Sequence, residues 1–176
     1  MKLEPIVWFE EVVKTHQTIS PHIHHTQVVT CPDLNEELGG KYIFKPESLQ
    51  ITGSFKVRGA LSAISRLSKE QLKYGVVAYS SGNHAQGVAH AAKLFNTPAI
   101  VVMPKDAPVK KIENAKTLGA EVVFYDRIKD SREQMAAEIA QEKNLSLIKP
   151  YDSLETIFGQ ATAAYEVIHD VNNPKI

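Results

Sequence analysis

The sequence predicts an α/β fold, a three-layer arrangement in which a parallel sheet carries helices on both faces. Three observations predict it. Four short apolar runs recur, at Gly75–Ser80, Pro98–Met103, Glu121–Tyr125 and Leu145–Ile148, each bounded by glycine, proline or polar residues. Such runs are too short for core helices and too continuously apolar for strands with one wet face, so they fit strands buried on both sides. Stretches with helical spacing separate them, which is the pattern of βαβ units with right-handed crossovers. Finally, 43% apolar and 23% charged residues in a chain of 176 are globular values, enough for one ordinary domain or a small domain plus part of another.

The elements follow in order. Pro5 opens a short helix over residues 5 to 14, with Ile6, Phe9 and Val13 on one face and Trp8 and Val12 widening it. Ser20-Pro21 breaks the chain, and His22, Ile23, His24 and His25 follow. Three histidines in four residues invite a metal, but no second ligand cluster accompanies them, so a solvated polar loop is expected and no metal site. Gln27–Thr30 reads as a strand, and Asp33 caps a helix over Leu34–Leu38 closed by Gly39-Gly40. Lys41–Lys45 alternates as a strand does, and Pro46 ends it. Ser54 caps a helix running to Leu67, with Val57, Leu61, Ile64 and Leu67 inward. After the first apolar run, Ser81-Gly82-Asn83 turns into an alanine-rich helix over Ala85–Phe95. Pro104 stops the second run, Pro108 opens a helix that Gly119 closes, and Asp130 caps a helix to Lys143. Lys149-Pro150 ends the fourth run.

Bulk properties exclude several functions. Formal charge is zero, so no basic surplus exists for phosphates and nucleic acid is not an expected partner. The single cysteine, Cys31, forms no internal disulfide, which fits a reducing compartment. Met1-Lys2-Leu3-Glu4-Pro5 is unlike a signal peptide, and no apolar run approaches the ~20 residues that cross a bilayer. A soluble cytoplasmic chain with no membrane partner is expected. A nicotinamide turn needs G-x-G-x-x-G, whereas here one glycine, Gly82, precedes the helix and Gly87 lies inside it.

Two stretches can carry chemistry. In Thr52-Gly53-Ser54-Phe55-Lys56-Val57-Arg58-Gly59-Ala60 a lysine sits in a glycine- and hydroxyl-bounded turn before a helix. Partial desolvation lowers a lysine's pKa and lets it condense with an aldehyde; the alternative is an ordinary capped helix with a surface lysine. Ser80-Ser81-Gly82-Asn83-His84 lies at the carboxyl end of a strand and the start of a helix. Hydroxyls, a glycine and free helix N–H groups suit a carboxylate or phosphate there; the alternative is a plain capped turn.

Together these stretches resemble the fold-type II pyridoxal-phosphate enzymes, in particular threonine/serine dehydratases (ammonia-lyases) and serine racemases. Glu47-Ser48-Leu49-Gln50 is similar to the family's lead-in, and Ser80 to Gly87 looks like its substrate-carboxylate loop. The resemblance runs from about Leu38 to Val167. It implies a tryptophan synthase β-like fold, pyridoxal 5'-phosphate as cofactor, a small amino-acid substrate and a homo-oligomer, dimer or tetramer. Lys56 would carry the cofactor as a Schiff base and then serve as the base at the substrate's Cα. Phe55 would pack by the ring and Asn83 would bond its hydroxyl. Ser80, Ser81, Gly82, Asn83 and His84 would hold the substrate carboxylate. Loss of the β-hydroxyl then gives an enamine that hydrolyses to a 2-oxo acid and ammonia.

Two departures qualify this. Ser81 stands where many dehydratases have a non-hydroxyl residue, whereas racemases use a serine there as the second base, so racemisation is a second reading. The chain also ends at Ile176, while family members run over a hundred residues further and carry their phosphate-gripping glycine loop in that part. Gly159-Gln160-Ala161-Thr162 resembles the family's G-Q-G-T with one alanine. The expected organisation is a small domain over 51–149, with 1–50 and 150–176 as pieces of an incomplete larger one. Weak cofactor binding, uncovered apolar surface and a non-catalytic α/β fragment as a third reading follow from it.

Overall fold

The computed structural model describes residues 5–171, with side chains from Val7 onward. The expectations for Met1–Glu4, for the Ile6 side chain and for residues 172–176 lie outside the described residues. Helix α1 spans Pro5–Ile19, five residues beyond its expected end, and packs on the C-terminal helix through Trp8, whose ring meets Phe158 edge-on at 5.2 Å. Strand β1 (Val29–Thr30), helix α2 (Pro32–Leu38) and strand β2 (Ile43–Phe44) follow, and the two strands form a short antiparallel ribbon. Helices α3 (Lys56–Ser65) and α4 (Lys69–Tyr74) lead into β3 (Val76–Tyr79). The alternation then runs α5 (Asn83–Leu94), β4 (Ala99–Pro104), α6 (Val109–Thr117), β5 (Glu121–Tyr125), α7 (Arg132–Glu142) and β6 (Ser146–Leu147), before α8 (Leu154–Asp170).

The four strands β3 to β6 form a parallel sheet in the order β5-β4-β3-β6, as the alternation predicts. Val76, Ala78, Val101 and Met103 belong to the core with Leu61, Ile64, Val88 and Ala92 of α3 and α5. Val77, Tyr79, Ile100 and Val102 point the other way, against Met135, Ala136 and Ile139 of α7. Every residue of β3 and β4 is buried, which explains their unbroken apolar runs. Each such valine or isoleucine withdrawn from water contributes about 1.5–3 kcal/mol.

Helix α3 touches α1, α5 and α8. Two glycines permit the closest approaches. A Cβ on Gly87 of α5 would lie 3.1 Å from the Lys56 carbonyl oxygen, and one on Gly159 of α8 would lie 2.4 Å from that of Arg58. No larger residue fits Gly159 without moving a backbone.

Several local expectations are corrected. Ser54 is not the cap of α3; the helix starts from Phe55, and the Ser54 hydroxyl only accepts the Lys56 N–H at 3.4 Å. α3 ends at Ser65, and a separate helix, α4, begins at Lys69 behind Ser68, which caps it in a capping box with Gln71. α2 starts at Pro32 with Cys31 as its uncapped N-terminus, so Asp33 sits in its first turn instead. Ser131, not Asp130, caps α7; Asp130 instead accepts the Asp126 N–H at 2.7 Å and closes the preceding turn. Pro104 is the last residue of β4 rather than its stop, since a proline at a strand end leaves no ladder bond unmade.

Candidate active site

Lys56 is the first residue of α3 and is half-buried. Its Nζ donates to the Pro150 carbonyl at 2.9 Å and lies 5.3 Å from the centre of the Phe55 ring, which is 40% exposed. Burial pushes the Lys56 ammonium below the usual lysine range. A lysine so placed holds a larger share of neutral, nucleophilic amine than one in water.

Beyond the carboxyl end of β3, Ser80 to Asn83 make one continuous turn into α5. Ser80 Oγ accepts the Gly82 N–H at 3.1 Å, so one amide expected to meet a carboxylate is engaged within the turn. Ser81 is half-buried and Asn83 exposed. His84 is 2% exposed, and its Nε2 meets the Ile148 carbonyl at 3.0 Å. That oxygen can only accept, so Nε2 carries the hydrogen. Burial pushes the His84 pKa down to about 4, with the Ile148 hydrogen bond opposing and the Lys56 charge adding to the drop. The ring is therefore neutral at pH 7 and its Nδ1 is buried without a partner. Its side chain fastens α5 to the sheet, leaving the backbone N–H as the group His84 can offer to a substrate.

The lysine and the turn are brought together by two devices. Gly87 lets α5 cross α3 at Lys56 and Val57. The segment Ile148-Lys149-Pro150 then runs beneath both, with Ile148 held by His84, Lys149 by the Thr156 hydroxyl at 2.9 Å and Pro150 by Lys56. By contrast, the early histidines diverge: His24 Nδ1 meets the Leu49 carbonyl, His25 Nε2 meets Asp170, and the His22 ring lies against Phe95.

Sequence reasoning missed the charge cluster next door. Arg58 is fully buried and donates to both Glu47 oxygens and both Glu166 oxygens, each at 2.8 Å, and to Thr162 Oγ1 at 3.2 Å. Lys45 Nζ reaches Glu166 at 2.7 Å. Burial raises the Glu166 carboxyl, yet hydrogen bonds from Arg58 and Lys45 hold it down at about 2. A charged residue at 58 beside core positions 57, 61 and 64 was the available signal. Glu166, 108 positions away, left none.

A parallel sheet covered by helices, with a half-buried amine beside a strand-to-helix turn, defines an α/β protein, a class whose ligands lie beyond the carboxyl ends of the strands. Within that class, the chain belongs to the pyridoxal-phosphate dependent enzymes, whose family profile matches residues 19–176. It is 46% identical over 160 residues to L-threo-3-hydroxyaspartate ammonia-lyase of Pseudomonas sp, covering 91% of this chain and 50% of the relative. It is 38% identical over 171 residues to L-threonine ammonia-lyase of Thermotoga maritima, covering 97% and 43%. The structure of maize serine racemase superimposes with a TM-score of 0.89 at 39% identity, over 93% of this chain and 50% of that one. The fold is that of the fold-type II enzymes, and the chain spans about half the length of the relatives it matches.

Proposed function

We propose that this chain carries the lysine-bearing half of an ammonia-lyase that removes water and then ammonia from a β-hydroxy amino acid such as L-threonine or L-serine. The observation that carries the reading is Lys56: an amine half-buried at a helix start, with its pKa lowered by burial, beside the Ser80–His84 turn. These residues fit an aldehyde cofactor, because a desolvated amine is the group that condenses with one. Bound pyridoxal phosphate supplies an electron sink for the pair left when the Cα proton departs. Lys56 would hold the cofactor and, once freed, take that proton. Phe55 would lie against the ring and Asn83 would bond its hydroxyl. Ser80, Ser81, Gly82, Asn83 and His84 would orient the substrate carboxylate through hydroxyls and N–H groups. The His84 imidazole, neutral and bonded to Ile148, adds no charge beside Lys56, so burial alone lowers the Lys56 pKa and favours its neutral form.

In this reading residues 51–149 form the small domain, and 1–50 and 150–176 belong to the larger cofactor domain of a cytoplasmic homo-oligomer. A racemase is the second reading. It is favoured by Ser81, a half-buried hydroxyl in the turn, and by the likeness to serine racemase. Borohydride reduction of the 176-residue chain mixed with pyridoxal phosphate, followed by peptide mapping, tests the assignment of Lys56. Selective labelling at Lys56 is expected, at low occupancy. Labelling spread over the surface lysines overturns the reading. Conversion of L-serine to pyruvate with no D-serine, in the protein containing the complete cofactor domain, removes the racemase alternative.

A further inference from the structure

A second cation reaches the candidate turn. Lys111, in the first turn of α6, lays its side chain over Gly82. A Cβ placed on Gly82 would lie 2.6 Å from Lys111 Nζ, 3.3 Å from Cδ and 3.5 Å from Cε. The ammonium is thus the atom of closest approach. A lysine stem that merely packs on a surface sends its ammonium outward to water; the Lys111 ammonium instead lies over Gly82 together with the end of its stem. It is half-buried, and among the described residues no carboxylate lies within ion-pair distance of it and no hydrogen bond from Nζ is made. The other basic group nearby in sequence, Arg127, is spoken for by Asp106 at 2.8 Å. α6 is held against α5 by Asn114, which donates to Gln86 at 3.1 Å and so fixes the helix that carries Lys111 beside the turn.

An ammonium held over the turn without a carboxylate partner is a ready contact for an anion, which would form a charge-assisted hydrogen bond with it. The α-carboxylate of a substrate already has the turn's hydroxyls and N–H groups. We infer that Lys111 is a specificity-determining residue that pairs with a second carboxylate, so that the preferred substrate is a β-hydroxy amino acid bearing a side-chain carboxylate. This rests on the assignment of Ser80–Asn83 as the carboxylate turn. It selects among substrates that the proposed lyase chemistry leaves equivalent: serine and threonine bring only the α-carboxylate to the turn, whereas a 3-hydroxyaspartate brings a second one for Lys111.

The test is a binding measurement that needs no turnover. Titrate the 15N-labelled 176-residue chain with L-serine and with L-threo-3-hydroxyaspartate, following the amide resonances of Gly82 and Asn83. Both ligands are expected to shift them, with the dicarboxylate binding about tenfold or more tightly, the range of a charge-assisted hydrogen bond. Lys111→Met should erase that preference, while Lys111→Arg, which keeps a donor cation, should retain most of it. The unperturbed amides of β3 and β4 in each variant report that it is folded. Equal affinities in the parent chain, or a preference that survives Lys111→Met, overturn the inference and leave the turn assignment standing. Shifts from neither ligand overturn the turn assignment and the inference with it.

Discussion

The sheet unit and the segment that precedes it are held in opposite ways. From β3 to β6 the chain buries apolar side chains on both faces of the sheet. From Gln27 to Leu49 no residue is fully buried, and Val29, Leu38, Tyr42, Ile43, Phe44 and Leu49 are exposed. That segment is attached by polar bonds instead. Gln50 exchanges two hydrogen bonds with the His24 backbone at 2.8 Å each, Thr26 donates to Glu47, and Arg58 and Lys45 clamp Glu47 and Glu166. The apolar side chains left outside lie in a chain about half as long as its relatives. The lesson is that one unit is self-sufficient in burial, while the other owes its position to charge.

Removing the clamp gives the largest expected effect. Arg58→Met leaves Glu47 without its guanidinium partner and Glu166, whose side chain is only 2% exposed, without its strongest one, which costs about 3–5 kcal/mol. Hydrogen exchange should show residues 24–50 losing protection well before β3 and β4. Simultaneous loss in both regions would mean that the two are one cooperative unit and would break the comparison.

Acid should separate the regions in two stages. His84 has a folded pKa of about 4 against 6.5 for a free imidazole, so the unfolded chain takes up its proton first. The stability it confers is complete above about pH 6.5 and falls as pH drops to about 4, by roughly 3 kcal/mol. That weakens the bond of α5 to Ile148, on the sheet side. Glu166 is held at about 2 against 4.5, so its contribution is intact above about 4.5 and is lost as pH falls towards 2, on the polar side. Denaturation midpoints measured from pH 8 to 2 should therefore decline in two steps. His84→Gln should flatten the upper one alone; an unchanged upper step would show that another group controls it.

The sheet was legible because its residues answer only to their neighbours in sequence. β5 falls at Glu121–Tyr125 as expected, and β3 and β4 lie within a residue or two of their apolar runs. The polar segment was over-read: Gln27–Thr30 and Lys41–Lys45 promise full strands, but only two residues of each pair, because a lone ribbon with nothing across its face does not extend. Within the candidate site, Lys56 and the Ser80–Asn83 turn announce themselves by local chemistry. Arg58 and Lys111 do not, since what makes each unusual is a contact far along the chain, Glu166 for the first and Gly82 for the second. His84 was visible but its commitment to Ile148 was not, because a backbone carbonyl carries no sequence signal.

The smallest expected effect is the most exacting for the comparison. Phe44 is 43% exposed and Leu49 67%, so replacing either with serine removes little buried surface. Phe44→Ser and Leu49→Ser should each change stability by no more than about 0.5 kcal/mol, the usual range for a surface position. Sedimentation should show less self-association for these variants than for the parent chain, because exposed apolar side chains draw copies together. A core loss of comparable size behaves oppositely: Met103, fully buried in β4, should cost about 2–5 kcal/mol as alanine with no effect on association. If Phe44→Ser instead costs as much as Met103→Ala, the ribbon has an apolar partner in solution that holds it in place, and charge is not what positions it.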